Sequence, residues 1–516
     1  MFVLKIKELW RMLVDRWKIS CFVIFLVFVI AVVFLMKADG LPEDLFVVKF
    51  KYLLMLGIIV FGLVLSVLCI CAFEKKWRLE KIFIAFVIPV GLIMMAVFPV
   101  GRVPDEVFHF ARAYGVAHGS LVSDLTESGA GGSYYSADVL AAVHWEKDLN
   151  YGMYRDNFAI FAYGDNEEVF NVYTNTSQYP FLAYLPQAIG IKIGEIFKLP
   201  VLGLALFGRL FNFLFWVLLM YYAIKLIPFK KMSVLLVMFM PMMLQESISL
   251  SVDPIINGTT FLLFSYCLNM RYGRKDFVNN KDRIILAVLC LIVSLCKMVY
   301  LPVCLTLFLI PEHMFKTKKR KYLEIGLLAF LVVALVGIWT VVAMRYQLRP
   351  GDGVSAIEQI GFVLESPLRT IKVLIRTIAE NAYVYMENLV CGPMGWFDIP
   401  IDSICTMVML CMLVMVCTMD NAGKKINNSV KTCMSVILLS TLALIFAAEY
   451  LTWTPVGSME ISGVQGRYFI PLLIPAFVIF NNRIKYDLSR IYKYMFLTVI
   501  FVDIYAIITI FYAHVI

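Results

Sequence analysis

Charge is the property that this sequence has least of. Lys, Arg, Asp and Glu make up 16% of its 516 residues, whereas 61% of the residues are hydrophobic. A soluble domain of this length has too little interior to bury so much apolar surface, so the composition excludes an ordinary soluble enzyme. The long apolar runs predict an all-α polytopic membrane protein whose surroundings are the lipid bilayer.

Metal-site and disulfide patterns are also missing, although cysteine itself is not scarce. The chain has 12 cysteines, and those such as Cys69, Cys290 and Cys405 lie inside apolar runs without the paired spacing of zinc ligands. We interpret them as small hydrophobic residues in helices. A cleavable signal peptide is not apparent either, because "MFVLKIKELWRMLVDRWK" is typical of a basic amphipathic helix on the cytoplasmic face.

The positive charge is not arranged as a nucleic-acid-binding surface. The net charge is +9, but most Lys and Arg residues lie in short loops between apolar runs. This is the distribution in which basic loops stay in the cytoplasm. The sequence therefore predicts a multi-pass protein of the cell membrane with a cytoplasmic N-terminus and no nucleic-acid partner.

The first three predicted spans set the orientation of the rest. A span over residues 19–36 follows five basic residues, and a second span, 52–73, returns to the basic stretch "EKKWRLEK". The third span, 82–100, must then exit outward. Residues 101–180 are therefore expected to form a large extracytoplasmic loop, too long to be a simple connector.

The remaining apolar runs predict about 13 crossings in total, if one short hairpin counts as two. We divide the chain into an N-terminal part (1–81, an amphipathic helix and two extra spans), a core (82–345, with the external loop 101–180), a second external loop (346–402, with an amphipathic helix) and C-terminal transmembrane helices (403–516). Further single spans are predicted over 201–227, 232–250, 255–270, 322–346, 403–418, 433–451, 469–480 and 495–512.

The short hairpin is predicted from "IILAVLCLIVSLCKMVYLPVCLTLFLIP", which has basic loops at both ends. Its length does not allow two crossings of ~20 residues each. Two short helices with Lys297 near the tip satisfy both constraints. An ammonium inside the membrane normally faces a cavity or a partner, so Lys297 either contacts an anionic ligand or forms an ion pair within the bundle.

Two further stretches carry candidate site residues. In "GRVPDEVFHFARAYG", Pro104 is suited to start a helix, and Asp105, His109 and Arg112 would then share one face. The alternative is that the acidic pair simply complements the helix dipole. In "GVQGRYFIP", Arg467 is placed to bind a lipid phosphate, or else to snorkel at the interface.

A third polar stretch, "QESISLSVDPIING", interrupts two spans at their external ends. Its acidic residues, Glu246 and Asp253, either line the same cavity or form a solvated turn.

Several stretches together resemble the DUF2142 family of bacterial polytopic membrane proteins, a family of unknown function. The resemblance covers most of the chain from about residue 82 onward, and its most specific parts are the Pro-acid-acid-x-x-His-x-x-Arg and Gly-Arg-Tyr-Phe patterns. In chain order the stretches are "VPDEVFHFARAYGVAHGSLVS", "YPFLAYLPQAIGIKIG", "SISLSVDPIINGTTFLLF", "CKMVYLPVCLTLFLIP", "CGPMGWFDIPI" and "GVQGRYFIPLLIP".

Such proteins in turn look like GT-C glycosyltransferases, which carry acidic residues in the first large external loop and use polyprenyl-phosphate sugar donors. The resemblance implies that Asp105 is the general base, and that Glu106 shares its task, holds a divalent cation or orients the acceptor. It also implies that Arg467, Lys297 and Arg112 bind the donor phosphate. The residues implied to support the site are His109, Gln465 and Tyr468.

A divalent cation, Mg²⁺ or Mn²⁺, stays open, because Pro-Asp-Glu is not the acid-x-acid spacing of metal-dependent relatives. External aromatic residues are candidates for stacking on sugar faces, although packing explains each one singly. They are Tyr134, Tyr135, Trp145, Tyr151, Tyr154 and Trp396.

The resemblance implies transfer of a sugar from a polyprenyl-phosphate-linked donor to an extracytoplasmic glycan acceptor in cell-wall or polysaccharide biosynthesis. A flippase or polymerase of lipid-linked oligosaccharides is the main alternative, since it needs external loops and phosphate-binding groups too. A sensor or scaffold would leave Lys297 and the acidic pair without a task. No inverted repeat of the transporter kind is visible in the sequence.

Overall fold

The structure is a computed structural model that describes residues 45–143, 156–163, 168–273, 276–346, 353–420, 426–481 and 489–515. Helices dominate it. The α-helices are Leu45–Glu74, Leu79–Val97, Glu106–Ala117, Asp138–Ala141, Thr174–Ser177, Leu185–Ile196, Val201–Leu226, Lys231–Met238, Pro241–Ser247, Asp253–Tyr272, Asn280–Cys296, Lys318–Ala343, Ala356–Glu365, Pro367–Val390, Ser403–Met419, Asn428–Thr452, Leu473–Ile479 and Ser489–Val515. The 3₁₀ helices are Phe181–Tyr184, Met298–Leu309, Glu312–Met314 and Gly466–Leu472.

Six of the described helices are long and apolar enough to cross a membrane, and three apolar segments are shorter. This confirms a mostly helical membrane protein. The predicted amphipathic helix at the N-terminus and the span over 19–36 lie outside the described residues. The six long segments are Lys51–Glu74, Leu79–Val97, Val201–Leu226, Lys318–Ala343, Asn428–Thr452 and Ile491–His514.

Two predicted single spans are broken by proline. The span over 232–250 divides into the helices Lys231–Met238 and Pro241–Ser247, because Pro241 cannot donate a backbone hydrogen bond to the preceding turn. The span over 469–480 instead begins as the 3₁₀ helix Gly466–Leu472 and continues as Leu473–Ile479. Both breaks leave non-helical or tight backbone close to candidate site residues.

The predicted short hairpin is present, with one difference in its second arm. The helix Asn280–Cys296 ends at Lys297, whose φ of −155° is extended, and the chain continues as the 3₁₀ helix Met298–Leu309. An α-helix of 17 residues and a 3₁₀ helix of 12 residues both climb about 25 Å. Lys297 therefore lies at the tip of two arms of similar height.

The segment between the third predicted span and Val201 contains a small sheet, which the all-α expectation did not include. Strands Asp124–Leu125, Gly131–Ser136 and Glu168–Val172 pair in antiparallel fashion, with Ser133 opposite Asn171. From Ser133 to Ser136 the burial alternates, with Ser133 and Tyr135 buried and Tyr134 exposed, which fits a strand with one packed face. A second, two-stranded ribbon joins Pro393–Met394 to Ile399–Pro400.

The second predicted loop carries two strongly amphipathic helices, where the sequence predicts one. Along Ala356–Glu365 and Pro367–Val390, apolar side chains such as Ile357, Leu364 and Leu368 are exposed. Exposed apolar residues on one face are typical of a helix that lies in the membrane interface.

Candidate functional site

Asp105 stands just before the helix Glu106–Ala117, in a left-handed conformation with φ 60°. The predicted helix start at Pro104 is therefore wrong by two residues. Asp is one of the few residues that tolerate this conformation, and such backbone is enriched at functional sites. Within the described residues its carboxylate makes no hydrogen bond and caps no helical N–H. The side chain is thus left available for another task.

The electrostatic surroundings of Asp105 come from distant parts of the chain. Burial raises the pKa of the Asp105 carboxyl and Asp253 raises it further, while Arg467 and Lys297 lower it, with a net rise. A carboxylate with a raised pKa accepts a proton more readily near neutral pH, which is what a general base requires.

Glu106, by contrast, is fully occupied. Its side chain is completely buried and forms a bidentate ion pair with Arg209, with 2.7 Å from Nε to Oε1 and 2.6 Å from Nη2 to Oε2. The backbone N–H groups of Gly101 and Leu250 also donate to it, at 2.8 and 3.1 Å. This geometry favours a structural task for Glu106 over the predicted catalytic one.

Arg112 also has a local structural task. It is fully buried and donates to the backbone carbonyls of Ser120 and Leu121, at 2.6 and 2.8 Å. These bonds fasten the chain after the helix, and they direct the guanidinium toward that turn. The structure therefore gives no support to its predicted role in phosphate binding.

His109 contacts two tyrosines of the site region. Its Nδ1 lies 2.7 Å from the hydroxyl of Tyr184, and its ring lies against that of Tyr179. Burial lowers its pKa to about 3, so the imidazole stays neutral at physiological pH. A neutral, hydrogen-bonded histidine positions its neighbours without adding charge.

Arg467 enters the site from the 3₁₀ helix Gly466–Leu472. Its Nη1 donates to Glu246 Oε1 at 2.8 Å, and its Nε donates to Gln465 Oε1 at 2.6 Å. The side chain is 6% exposed. Nη2 has no hydrogen-bond partner within the described residues, so one edge of the guanidinium is open to a ligand.

Gly466 explains how the backbone comes so close to its neighbour. A Cβ placed there would lie 1.9 Å from the backbone oxygen of Tyr385 in the helix Pro367–Val390. Only glycine fits this approach. The Gly-Arg pair thus packs the 3₁₀ helix tightly while presenting the arginine to the site.

Lys297 is the second cation of the site. Its Nζ lies 4.0 Å from Asp253 Oδ1 and 3.9 Å from the centre of the Tyr468 ring, and its side chain is 20% exposed. A contact at 4.0 Å is at the outer limit for an ion pair, so Asp253 does not saturate the ammonium. Lys297 thus has a weak ion-pair partner and is still partly exposed, and its contact with an anionic ligand stays a prediction.

A cavity of about 410 Å³ opens next to Lys297. We call it the Lys297 cavity. Its polar and aromatic lining includes Lys297, Glu449, Tyr468, Tyr179, Tyr300 and Trp339. The volume falls in the usual range for small-ligand sites.

An apolar groove of about 370 Å³ runs beside this cavity. It lies between the helices Lys318–Ala343 and Asn428–Thr452, with the 3₁₀ helix Met298–Leu309 between them. Tyr300 lines the cavity and the next residue, Leu301, lines the groove. On the other wall, Ile445 lines the cavity and Leu444 lines the groove. A charged cavity and a lipid-like groove therefore adjoin.

The site thus assembles a charged cluster from five separate stretches of the chain. Asp105, Lys297 and Arg467 were predicted from the sequence, and Glu246 and Asp253 were named with two alternatives, a shared cavity or a solvated turn. Glu246 is buried against Arg467 and Asp253 lies beside Lys297, but neither of the two acids lines the Lys297 cavity. Glu449 was missed. The charged cluster consists of Asp105, Glu246, Asp253, Lys297, Glu449 and Arg467.

Two residues missed in the sequence had a readable signal. Glu449 and Arg209 are single charges inside otherwise apolar runs, "LIFAAEYLTW" and "LALFGRLFNF". An ionisable residue in such a run normally has a partner or a function. Arg209 pairs with Glu106, and Glu449 lines the Lys297 cavity.

The predicted sugar-stacking aromatics differ in availability. Tyr134 is exposed and packs edge-on against Phe170, whereas Tyr135 is buried. Trp396 is partly exposed and donates to the backbone oxygen of Gly101 at 3.2 Å. Trp145, Tyr151 and Tyr154 lie outside the described residues.

A metal site has no visible ligand set in the part of the chain that the structure describes. No group of three or more His, Cys, Asp or Glu residues is arranged there to hold an ion. The acids of the charged cluster face Arg467 and Lys297 instead.

Comparison with known proteins gives one match. No curated protein and no solved structure is detectably similar to the chain. Residues 86–475, however, match the family described as "Predicted membrane protein (DUF2142)", and this region contains all members of the charged cluster. The chain therefore belongs to the DUF2142 family of predicted membrane proteins.

Proposed function

We propose that this protein is a membrane glycosyltransferase of the GT-C type, which moves a sugar from a polyprenyl-phosphate donor to an extracytoplasmic glycan. The observation that carries the proposal is that the cavity lined by Lys297 adjoins an apolar groove, with Tyr300 on the cavity side and Leu301 on the groove side. A donor of this class has a phosphate at the end of a long apolar chain. The phosphate matches the charged cavity, and the apolar chain matches the groove.

The proposal assigns a role to each residue. The acceptor hydroxyl loses its proton to Asp105, and its oxygen forms a bond to the anomeric carbon of the sugar. The bond from that carbon to the phosphate oxygen breaks, and the phosphate leaves with the electron pair. Arg467 and Lys297 stabilise the charge that develops on it. Gln465 accepts from Arg467 and positions it, and His109 holds the hydroxyl of Tyr184 nearby.

The arrangement fits a transferase better than a flippase. A flippase needs polar groups along a path through both leaflets. Here the two charged residues that line the cavity, Lys297 and Glu449, both belong to the charged cluster, and the adjoining groove is lined by apolar residues such as Leu305, Val332 and Leu444. An apolar groove holds a lipid chain but gives no passage to a sugar head group.

The test is donor consumption by the full-length protein in reconstituted vesicles, supplied with a panel of polyprenyl-phosphate-linked sugars. Lys297→Met should weaken donor use about 10- to 150-fold, the value of one charge-assisted contact. Lys192→Met is a matched control, because Lys192 is exposed and pairs only with Glu195 at the surface. Its activity should stay within twofold of the unmodified protein.

Two results would contradict the proposal. One is that the unmodified protein consumes no donor in the panel. The other is that Lys297→Met and Lys192→Met are equally active, since the ammonium that lines the cavity would then have no part in donor use.

A further inference from the structure

A large cavity lies far from the charged cluster. It has a volume of about 680 Å³ and lies between residues 75–78, the first turns of the helix Leu79–Val97 and Tyr221 of the helix Val201–Leu226. We call it the Lys75 cavity. It is at the start of Leu79–Val97, whereas Asp105 follows the end of that helix. The 19 residues between rise about 28 Å, close to the thickness of a membrane core.

The lining of this cavity is strongly basic. Lys75, Lys76, Arg78 and Lys81 all line it and are all exposed. Such a convergence differs from an ordinary basic loop, whose side chains spread into solvent. Here they share one concave space with the aromatic ring of Tyr221.

Neighbouring residues increase the excess of positive charge. Lys225 holds its Nζ 5.5 Å from the centre of the Tyr221 ring. Lys231 lies close enough to Arg78 and Glu80 for both to affect its pKa, which burial lowers. These two lysines add to the four cations of the lining.

Within the described residues, little negative charge offsets these cations. Glu80 is buried and pairs with Arg78 at 3.2 Å, and Glu74 pairs with Lys493 at 3.7 Å. Lys75, Lys76 and Lys81 form no ion pair there. Three ammonium groups in one cavity repel one another unless an anion joins them.

We propose that the Lys75 cavity binds the phosphate group of an anionic membrane lipid. Its position at the ends of three apolar helices is the level of lipid head groups, and exposed Tyr222 beside it is typical of that level. Ammonium groups are effective point charges for phosphate. This site is separate from the charged cluster and does not depend on the proposed transferase activity.

The test uses purified full-length protein in detergent and counts bound lipids by native mass spectrometry. The probes are phosphatidylglycerol, phosphatidylcholine and inorganic phosphate. The double variant Lys75→Gln/Lys81→Gln should bind phosphatidylglycerol about 10- to 30-fold more weakly. Phosphatidylcholine, which is zwitterionic, should bind weakly to both forms.

The matched control is Lys316→Gln/Lys319→Gln. It removes the same charge from two exposed lysines in another basic loop that does not line the cavity. Its phosphatidylglycerol affinity should change less than twofold. Equal weakening in the two double variants would overturn the proposal, because the attraction would then belong to basic loops in general. Inorganic phosphate that binds as tightly as the lipid would overturn the lipid assignment.

Discussion

Asp105 and Glu106 are neighbours in the sequence but have different surroundings in the fold. Glu106 is buried against Arg209 and two backbone N–H groups, while Asp105 has no hydrogen-bond partner within the described residues and lies in the field of Arg467 and Lys297. The sequence could predict that an acidic pair stands at the start of a helix. It could not distinguish the two acids, because the partner of Glu106 is 103 positions away.

Glu106→Gln is expected to destabilise the protein rather than to slow catalysis alone. The change leaves Arg209 buried without a counter-charge, which costs about 3–5 kcal/mol. The measurement is thermal unfolding in detergent, with Glu127→Gln as an exposed acidic control. Adding Arg209→Met should recover part of the loss. An unchanged unfolding temperature for Glu106→Gln would contradict the structural role.

His109 makes stability depend on pH. Its pKa falls from 6.5 in the unfolded chain to about 3 in the folded protein, because the ring is buried. Below pH 6.5 the unfolded chain therefore binds a proton that the folded protein does not. The free energy of unfolding should fall by about 1.4 kcal/mol per pH unit from this residue, down to pH ~3.

The check is the free energy of unfolding between pH 7 and pH 5 for the unmodified protein and His109→Asn. The variant should show a slope that is shallower by about one proton. His313→Asn, at an exposed histidine, serves as the control and should keep the original slope. An identical slope in His109→Asn would show that another group takes up the proton.

At the level of elements, hydropathy predicts the long helices well. Val201–Leu226, predicted as 201–227, is apolar over most of its length in spite of Arg209 and Lys225, and the basic stretch "PFKK" follows its end. The two predicted spans that break contain Pro241, Pro471 and Pro475. A hydropathy window averages over such a residue, so composition predicts an apolar segment but not its break.

The breaks place residues of the charged cluster. Glu246 lies on the short helix that begins at Pro241, and Arg467 lies on the 3₁₀ helix that contains Pro471. Lys297 is likewise the extended residue that joins the two arms of the hairpin. Non-helical backbone within a membrane is tolerated where it is buried in protein or lines a cavity.

The orientation of the elements gives a direct prediction. With Ser128 in the first large loop and Lys281 in the loop before the hairpin, Ser128→Cys should react with a membrane-impermeant thiol reagent in intact cells and Lys281→Cys should not. Both positions are exposed, so accessibility within the protein does not limit either reaction. Cells that carry the unmodified chain measure the background from native cysteines. The opposite labelling pattern would place the charged cluster on the cytoplasmic face.

For the whole molecule, the sequence predicts the class of protein and its place in a membrane better than it predicts how distant segments come together. Composition is enough to predict a helical membrane protein, because 61% hydrophobic residues leave no other solution. The charged cluster joins residues from 105 to 467, and no local pattern encodes that meeting. The Lys297 cavity and the apolar groove arise only when the hairpin packs between two long helices.

The account of the whole molecule depends on Asp105 acting as a base beside the bound donor. Asp105→Asn keeps the size of the side chain and the amide tolerates the left-handed backbone, so folding and donor binding should be preserved. Asp124→Asn, at an exposed acid in the same loop, is the matched control.

The most direct measurement is sugar transfer from polyprenyl phosphate in reconstituted vesicles that contain the unmodified protein, Asp105→Asn or Asp124→Asn. Asp105→Asn should reduce turnover by about 10²–10⁴-fold, the usual contribution of a general base, with donor binding retained. Asp124→Asn should transfer sugar at the normal rate. Normal transfer by Asp105→Asn would contradict the account, because the carboxylate at the centre of the charged cluster would then have no role in the chemistry.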